Sequence, residues 1–143
     1  MYKQILVPVD GSETSKTALQ EALKLAREQG AKVCLVYVCE PMSYVLAEGT
    51  INLTAAVRRE GERIVGEALI KAREAGVDAT TALVESGDRR VPAAIVEQAA
   101  ATGADLIAMG THGRRGVEHL LLGSVAEGVA RRSGVPVLLI RGR

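Results

Sequence analysis

Phenylalanine and tryptophan are missing from these 143 residues, and the aromatic side chains amount to Tyr2, Tyr37 and Tyr44. A chain so poor in rings lacks the stacking platforms on which single-stranded nucleic acid is held. Charge of one sign is lacking too: 18 Lys and Arg face 17 Asp and Glu, so no global field recruits nucleic acid or an anionic membrane. No apolar run approaches the roughly 20 residues of a membrane span. The N-terminal MYKQILVPVD meets a proline and an aspartate after a short apolar stretch, which reads as a first strand. Cys34 and Cys39 lie an odd number of residues apart in one predicted strand, so they face opposite ways and do not bridge each other. Both read as reduced packing residues of a cytoplasmic protein, and two cysteines with two histidines offer no familiar zinc spacing. Neither G-x-x-x-x-G-K-[ST] nor G-x-G-x-x-G occurs anywhere.

What is present is Ala, Val, Leu and Ile, within a hydrophobic share of 48%. Small aliphatics suit buried parallel strands and close packing of helices on a sheet. The length fits one domain, residues 1–143. Unalternating apolar runs at Ile5 to Val9, Val33 to Val38, Val77 to Val84, Leu106 to Met109 and Val135 to Ile140 predict five strands, mostly buried on both faces. Helical periodicity fills the gaps: Glu13 to Gln29 closed by Gly30, about Leu53 to Ala75 closed by Gly76, Pro92 to Thr102 closed by Gly103, and a fourth helix after Ser124. Strand and helix alternate, so the expected fold is an α/β, three-layer α/β/α sandwich around a five-stranded parallel sheet with right-handed crossovers. Glu40 to Asn52 is left as the one long irregular connection.

In an open sheet of this kind ligands bind beyond the carboxyl ends of the strands, at the point where strand order reverses. That rule selects PVDGS, VCEP and MGTHG. The last opens GTHGRRGVEHLLLGSV, in which Gly110 and Gly113 leave a strand and Gly123 and Ser124 stand at a helix N-terminus, where amides and the helix dipole favour an anion. Arg114 and Arg115 offer charge. A competing reading is that Ser124 and Glu127 form a capping box with no ligand. Asp10 likewise has two readings: it orients a ribose hydroxyl or a metal held by phosphates, or it caps a helix with Glu13. His112 reads as a solvated turn residue, since no nucleophile or second carboxylate completes a catalytic set.

Gly110-Thr-His-Gly113, nine residues, then Gly123-Ser124 matches the G-2x-G-9x-G-(S/T) pattern, and ILVPVDGS, GADLIAMGTHGRRG, LLLGSVAE and SGVPVLLIR agree along the flanks. On these segments the chain resembles the ATP-binding branch of the universal stress protein family, the UspA-like domains of adenine nucleotide alpha hydrolase-like fold. The resemblance implies strand order 3-2-1-4-5 and a switch point between the first and fourth strands. It implies that Pro8, Val9 and Asp10 lie against adenine and ribose and that Val38 offers backbone groups to the adenine edge. Met109 and Gly110 would line the ribose region, and Gly113, Arg114, Gly123, Ser124 and Val125 would surround the phosphates, with Mg²⁺ carried by the phosphates and no protein-held metal. Family members commonly dimerise through the last strand, here Val135 to Ile140, whose apolar edge invites pairing.

The function expected from these features is an ATP-binding, nucleotide-dependent regulatory module in stress response, with hydrolysis slow at most because no residue orients a nucleophile. Two alternatives use the same chain: a nucleotide hydrolase acting through His112 or Asp10, and a nucleotide-independent interaction dimer whose glycines serve packing.

Overall fold

The computed structural model of the protein describes residues 1–112 and 122–142. In chain order the elements are β1 (Gln4–Pro8), α1 (Glu13–Gln29), β2 (Lys32–Cys39), β3 (Ser43–Leu46), β4 (Gly49–Asn52), α2 (Thr54–Glu74), β5 (Ala79–Glu85), α3 (Val91–Thr102), β6 (Leu106–Gly110), α4 (Ser124–Arg132) and β7 (Val137–Ile140). Five of the strands form a parallel sheet in the order β5-β2-β1-β6-β7. Counted among those five alone, the order is 3-2-1-4-5, as the family resemblance implies.

The aliphatic runs form central strands because both of their faces are covered. Ile5, Val7, Val33, Leu35, Leu106 and Ala108 share one core with Leu19, Leu23, Ile64 and Ala68 of α1 and α2. Leu6, Cys34, Val36, Ile107 and Met109 share the opposite core with Ile95, Ala99, Ala126 and Val129 of α3 and α4. Alternation along one strand therefore feeds two layers. Both cysteines are free and buried, as expected, and desolvation pushes the Cys34 and Cys39 thiols above the usual range. The outer strands differ from the expectation of burial on both faces: β5 and β7 are half-exposed because each has a single sheet neighbour.

Backbone chemistry sets the ends of the elements. Gly30 and Gly103 stop α1 and α3 in the left-handed region, at φ 67° and 69°, where a Cβ would be strained. Asp105 begins β6 by accepting hydrogen bonds from the N–H of Lys3, at 2.9 Å, and of Gln4, at 3.1 Å, fastening it to the start of β1. Desolvation pushes that carboxyl up, yet these backbone donors outweigh it and hold the group below the ordinary carboxylate range.

The connection expected to be irregular is a β-hairpin. β3 pairs antiparallel with β4, placing Tyr44 opposite Ile51 and Val45 opposite Thr50. Gly49, at φ 136°, supplies the turn that a side chain would hinder. Every residue of both strands is exposed, so no buried face imposed the continuous apolar run that marks the other strands. Asn52 then leads into α2 by accepting from the Thr54 N–H at 2.8 Å. Among the described residues no helix is long and apolar enough to cross a membrane.

Two helix glycines give opposite expectations. A Cβ on Gly128 would stand 2.5 Å from Cγ of Pro92, whereas one on Gly66 would meet nothing within 4 Å. Gly128→Ala should therefore destabilise by about 1 to 3 kcal/mol through overpacking, offset in part by better helix propensity, while Gly66→Ala should stabilise by roughly 0.4 to 1 kcal/mol. Urea unfolding of the two variants beside the parent reads both signs, and equal shifts would refute the close α3–α4 approach.

Candidate functional site

Strand order reverses between β1 and β6, which lie side by side with Ile5 opposite Leu106. The crossover from β1 leads through α1 to β2 on one side; the crossover from β6 leads through α4 to β7 on the other. Their carboxyl ends diverge and leave a crevice.

On the β1 side, the N–H of Val9 extends the ladder by donating to Val36 O at 2.9 Å. Gly11 turns the chain at φ 83°, and the Asp10 carboxylate accepts from the Ser12 N–H at 2.9 Å, an Asx-type turn. The Asp10 N–H donates to Ser15 Oγ at 3.1 Å. The helix cap proposed for Asp10 with Glu13 does not form, because the turn at Gly11 brings Ser12 into the N-cap position, where its Oγ accepts from the Ser15 N–H at 3.1 Å. Asp10 stands two residues before the N-cap, between the end of β1 and the start of α1. Val38, half-buried, is near the end of the adjoining β2.

On the β6 side Met109 is buried and Gly110 ends the strand. Gly110 packs so closely against α1 that a Cβ would fall 2.7 Å from Thr14 Cγ2. Packing thus explains this glycine, which the sequence assigned to turning and ligand approach. The buried Thr111 then makes two backbone hydrogen bonds: its N–H donates to Ile140 O at 3.0 Å, and its carbonyl accepts from the Gly123 N–H at 2.7 Å. The start of α4 is fixed beside the end of β6 by that second bond, and a Cβ on Gly123 would sit 2.9 Å from the Thr111 oxygen. Thr111 Oγ1 also lies 3.1 Å from Nδ1 of His112, which is half-buried.

The capping box that is the competing reading for Ser124 and Glu127 does not form. Gly123 is the N-cap, with no side-chain hydrogen bond, and Ser124 is already the first helical residue. Glu127 reaches down the helix to Arg131, 3.2 Å away, so its charge is drawn from the N-terminus. The amides of the first turn have no intrahelical partner in any α-helix, and here no side chain of the N-cap serves them. Of the predicted site residues, the structure brings Pro8, Val9, Asp10, Val38, Met109, Gly110, Gly123, Ser124 and Val125 to the carboxyl end of the sheet; Gly113 and Arg114 lie outside the described residues. Sequence reasoning missed Thr14 and Thr111, whose roles come from contacts between distant segments and leave no local pattern. Behind the crevice, a cavity of about 40 Å³ opens between α1 and α2 and is lined by Val9, Gly11, Ser15 and Ile64 among others. Among the described residues there is no group of three or more His, Cys, Asp or Glu able to hold a metal.

A doubly wound parallel sheet with a crevice at its switch point, and with the N-terminus of α4 beside it, defines the class: an α/β protein of the kind whose ligand sites lie at that end of the sheet. The chain belongs to the universal stress protein family, whose pattern it matches over residues 1–141. It is 39% identical to universal stress protein MJ0531 of Methanocaldococcus jannaschii, over 99% of this chain and 83% of that protein. It is 34% identical to universal stress protein YxiE of Bacillus subtilis, over 99% of this chain and 100% of that one. Among solved structures, a universal stress family protein from Burkholderia pseudomallei superposes with a TM-score of 0.79 at 35% identity, covering 97% of this chain and 96% of its own. Two further superpositions are with a universal stress protein solved with cAMP, TM-score 0.68 and 30% identity over 99% of this chain and 98% of that one, and with the Archaeoglobus fulgidus protein solved with dAMP, TM-score 0.71 and 25% identity over 97% and 98%.

The contact between Gly110 and Thr14 is open to a double-mutant cycle. Gly110→Ala should cost about 1 to 3 kcal/mol of stability by overpacking, and Thr14→Ser, which removes Cγ2, should recover part of that loss in the double variant. Strict additivity of the two changes would show that the glycine is not held there by Thr14.

Proposed function

We propose that the crevice between β1 and β6 binds an adenine nucleotide, ATP first among them, and that the protein acts as a nucleotide-dependent regulatory module in a stress response. The observation that carries this reading is the start of α4: Gly123 is fastened to Thr111, no side chain among the described residues caps the helix, and Glu127 is turned away toward Arg131. Such an N-terminus offers amide donors and a positive dipole end to a phosphate. Support for an adenine nucleotide comes from the relatives solved with cAMP and dAMP.

In this reading Ser124 and Val125 donate backbone amides to the phosphates and the Ser124 hydroxyl adds one more donor, while Gly123, whose own N–H is held by the Thr111 carbonyl, admits the phosphates through its missing side chain; Gly113 and Arg114 join them on the strength of the G-2x-G-9x-G-S spacing. Met109 and Gly110 border the ribose. Pro8, Val9 and Asp10 face adenine and ribose, with Asp10 already oriented by the Ser12 N–H, and Val38 presents backbone groups to the adenine edge. Mg²⁺ arrives on the phosphates, whose oxygens are its natural ligands. No residue of the described crevice is poised to orient an attacking water, so binding and not turnover is the assigned activity.

Among the described residues the outer edge of β7 has no partner strand, and Leu138 is 38% exposed there. Pairing of this edge with its symmetry mate about a two-fold axis would complete the ladder; the module is therefore a homodimer in this reading.

Calorimetric titration of nucleotide-stripped protein with Mg-ATP tests the binding claim. Micromolar affinity, roughly −8 kcal/mol, weakened in both Gly113→Ala and Ser124→Ala, is the expected result; no heat at several temperatures, with no nucleotide in the protein as isolated, would sink it. For the dimer, Leu138→Lys places like charges across the two-fold, and light scattering should read the dimer mass for the parent and the monomer mass for the variant. A parent that scatters as a monomer at high concentration contradicts the pairing.

A further inference from the structure

Beyond the motif residues, the segment that follows β7 is carried to the same end of the sheet. Val137 and Leu139 pack into the core under α3 and α4, while Ile140 packs into the core under α1 and α2. This alternation continues past the end of the strand: a Cβ on Gly142 would meet Thr14 of α1, 2.6 Å from its Oγ1. Residues 140 and 142 thus face α1, and by the period of two Arg141 faces the α4 side with Leu139.

Arg141 is also close to the start of α4 through the backbone. The carbonyl of Ile140, its immediate neighbour, accepts from the Thr111 N–H, and the Thr111 carbonyl accepts from the Gly123 N–H. Two hydrogen bonds therefore separate Arg141 from the N-cap of α4. The residue is exposed, and among the described residues its guanidinium has no ion pair or hydrogen bond. Glu127, the acid in the first turn of α4, is engaged with Arg131, and Glu13, the acid in the first turn of α1, pairs with Lys16 at 3.5 Å.

We propose that Arg141 reaches over the start of α4 and contributes its guanidinium to the phosphate end of the crevice, so that affinity rises with the number of phosphates on the nucleotide. This rests on the adenine-nucleotide reading given above. A guanidinium suits the role because its planar array of donors matches phosphate oxygens and stays charged at any working pH. The uncapped helix end provides neutral donors and a partial charge; a full positive charge beside it discriminates a triphosphate from a monophosphate and leaves the nucleoside unaffected.

The test is calorimetric titration of the parent, Arg141→Gln and Arg141→Lys with adenosine, AMP and Mg-ATP. Arg141→Gln should lose roughly tenfold or more in affinity for ATP, less for AMP and nothing for adenosine, with Arg141→Lys between the parent and the glutamine variant. Thermal unfolding should be unchanged in both, since Arg141 has no hydrogen-bond or ion-pair partner among the described residues to lose. Equal ATP affinity in the parent and Arg141→Gln would overturn the inference while leaving the nucleotide site standing, and so would a uniform loss that includes adenosine. A change in dimer mass with no change in ATP affinity would assign Arg141 to protecting the β7 edge instead. A parent that binds none of the three ligands would overturn both this inference and the reading beneath it.

Discussion

A parallel strand whose two neighbours arrive by crossovers in opposite directions cannot be covered at its carboxyl end by either connection, and β1 is that strand. Its backbone groups must be paired on both edges because water is excluded from both faces, which demands β2 on one side and β6 on the other. Once that is met, α1 and α4 leave from neighbouring strand ends and diverge. The crevice is a consequence of satisfying the central strand.

What converts a gap into a site is the way its rim is held. Thr111 joins three elements: β7 through its N–H, the start of α4 through its carbonyl, and β6 by chain continuity. Gly110 lets Thr14 of α1 approach the same strand end, and Gly142 lets the terminal segment cross the same threonine. The rim therefore depends on absent side chains and on backbone bonds more than on functional groups. In the reading proposed above, affinity for a nucleotide would come chiefly from amides positioned in this way.

The layered fold was legible because burial on both faces leaves unbroken aliphatic runs and because Gly30 and Gly103 end helices in a conformation other residues avoid. The β3–β4 hairpin was not, since its strands are four residues each, wholly exposed and defined by their pairing with each other. The caps that stand as competing readings, Asp10 with Glu13 and Ser124 with Glu127, have capping-box spacing but do not form, because Gly11 and the Thr111–Gly123 bond shift each cap to the residue that geometry favours. For the candidate site, the gathering of Pro8 to Asp10, Gly110 and Gly123 to Val125 could be anticipated from their place after strands or before a helix. Thr14 and Thr111 could not, because the contacts that matter join segments far apart in the chain.

The most direct test of the central claim is an amide ¹H–¹⁵N correlation spectrum of the labelled protein titrated with Mg-ATP. Binding in the crevice predicts that the largest shifts fall on Asp10 to Ser12, Gly110 to His112 and Gly123 to Val125, with Gly30 and Gly76 at the far end of the sheet and the Ser43–Asn52 hairpin unmoved. Shifts confined to the hairpin, or to the cavity between α1 and α2 with the start of α4 silent, would contradict it.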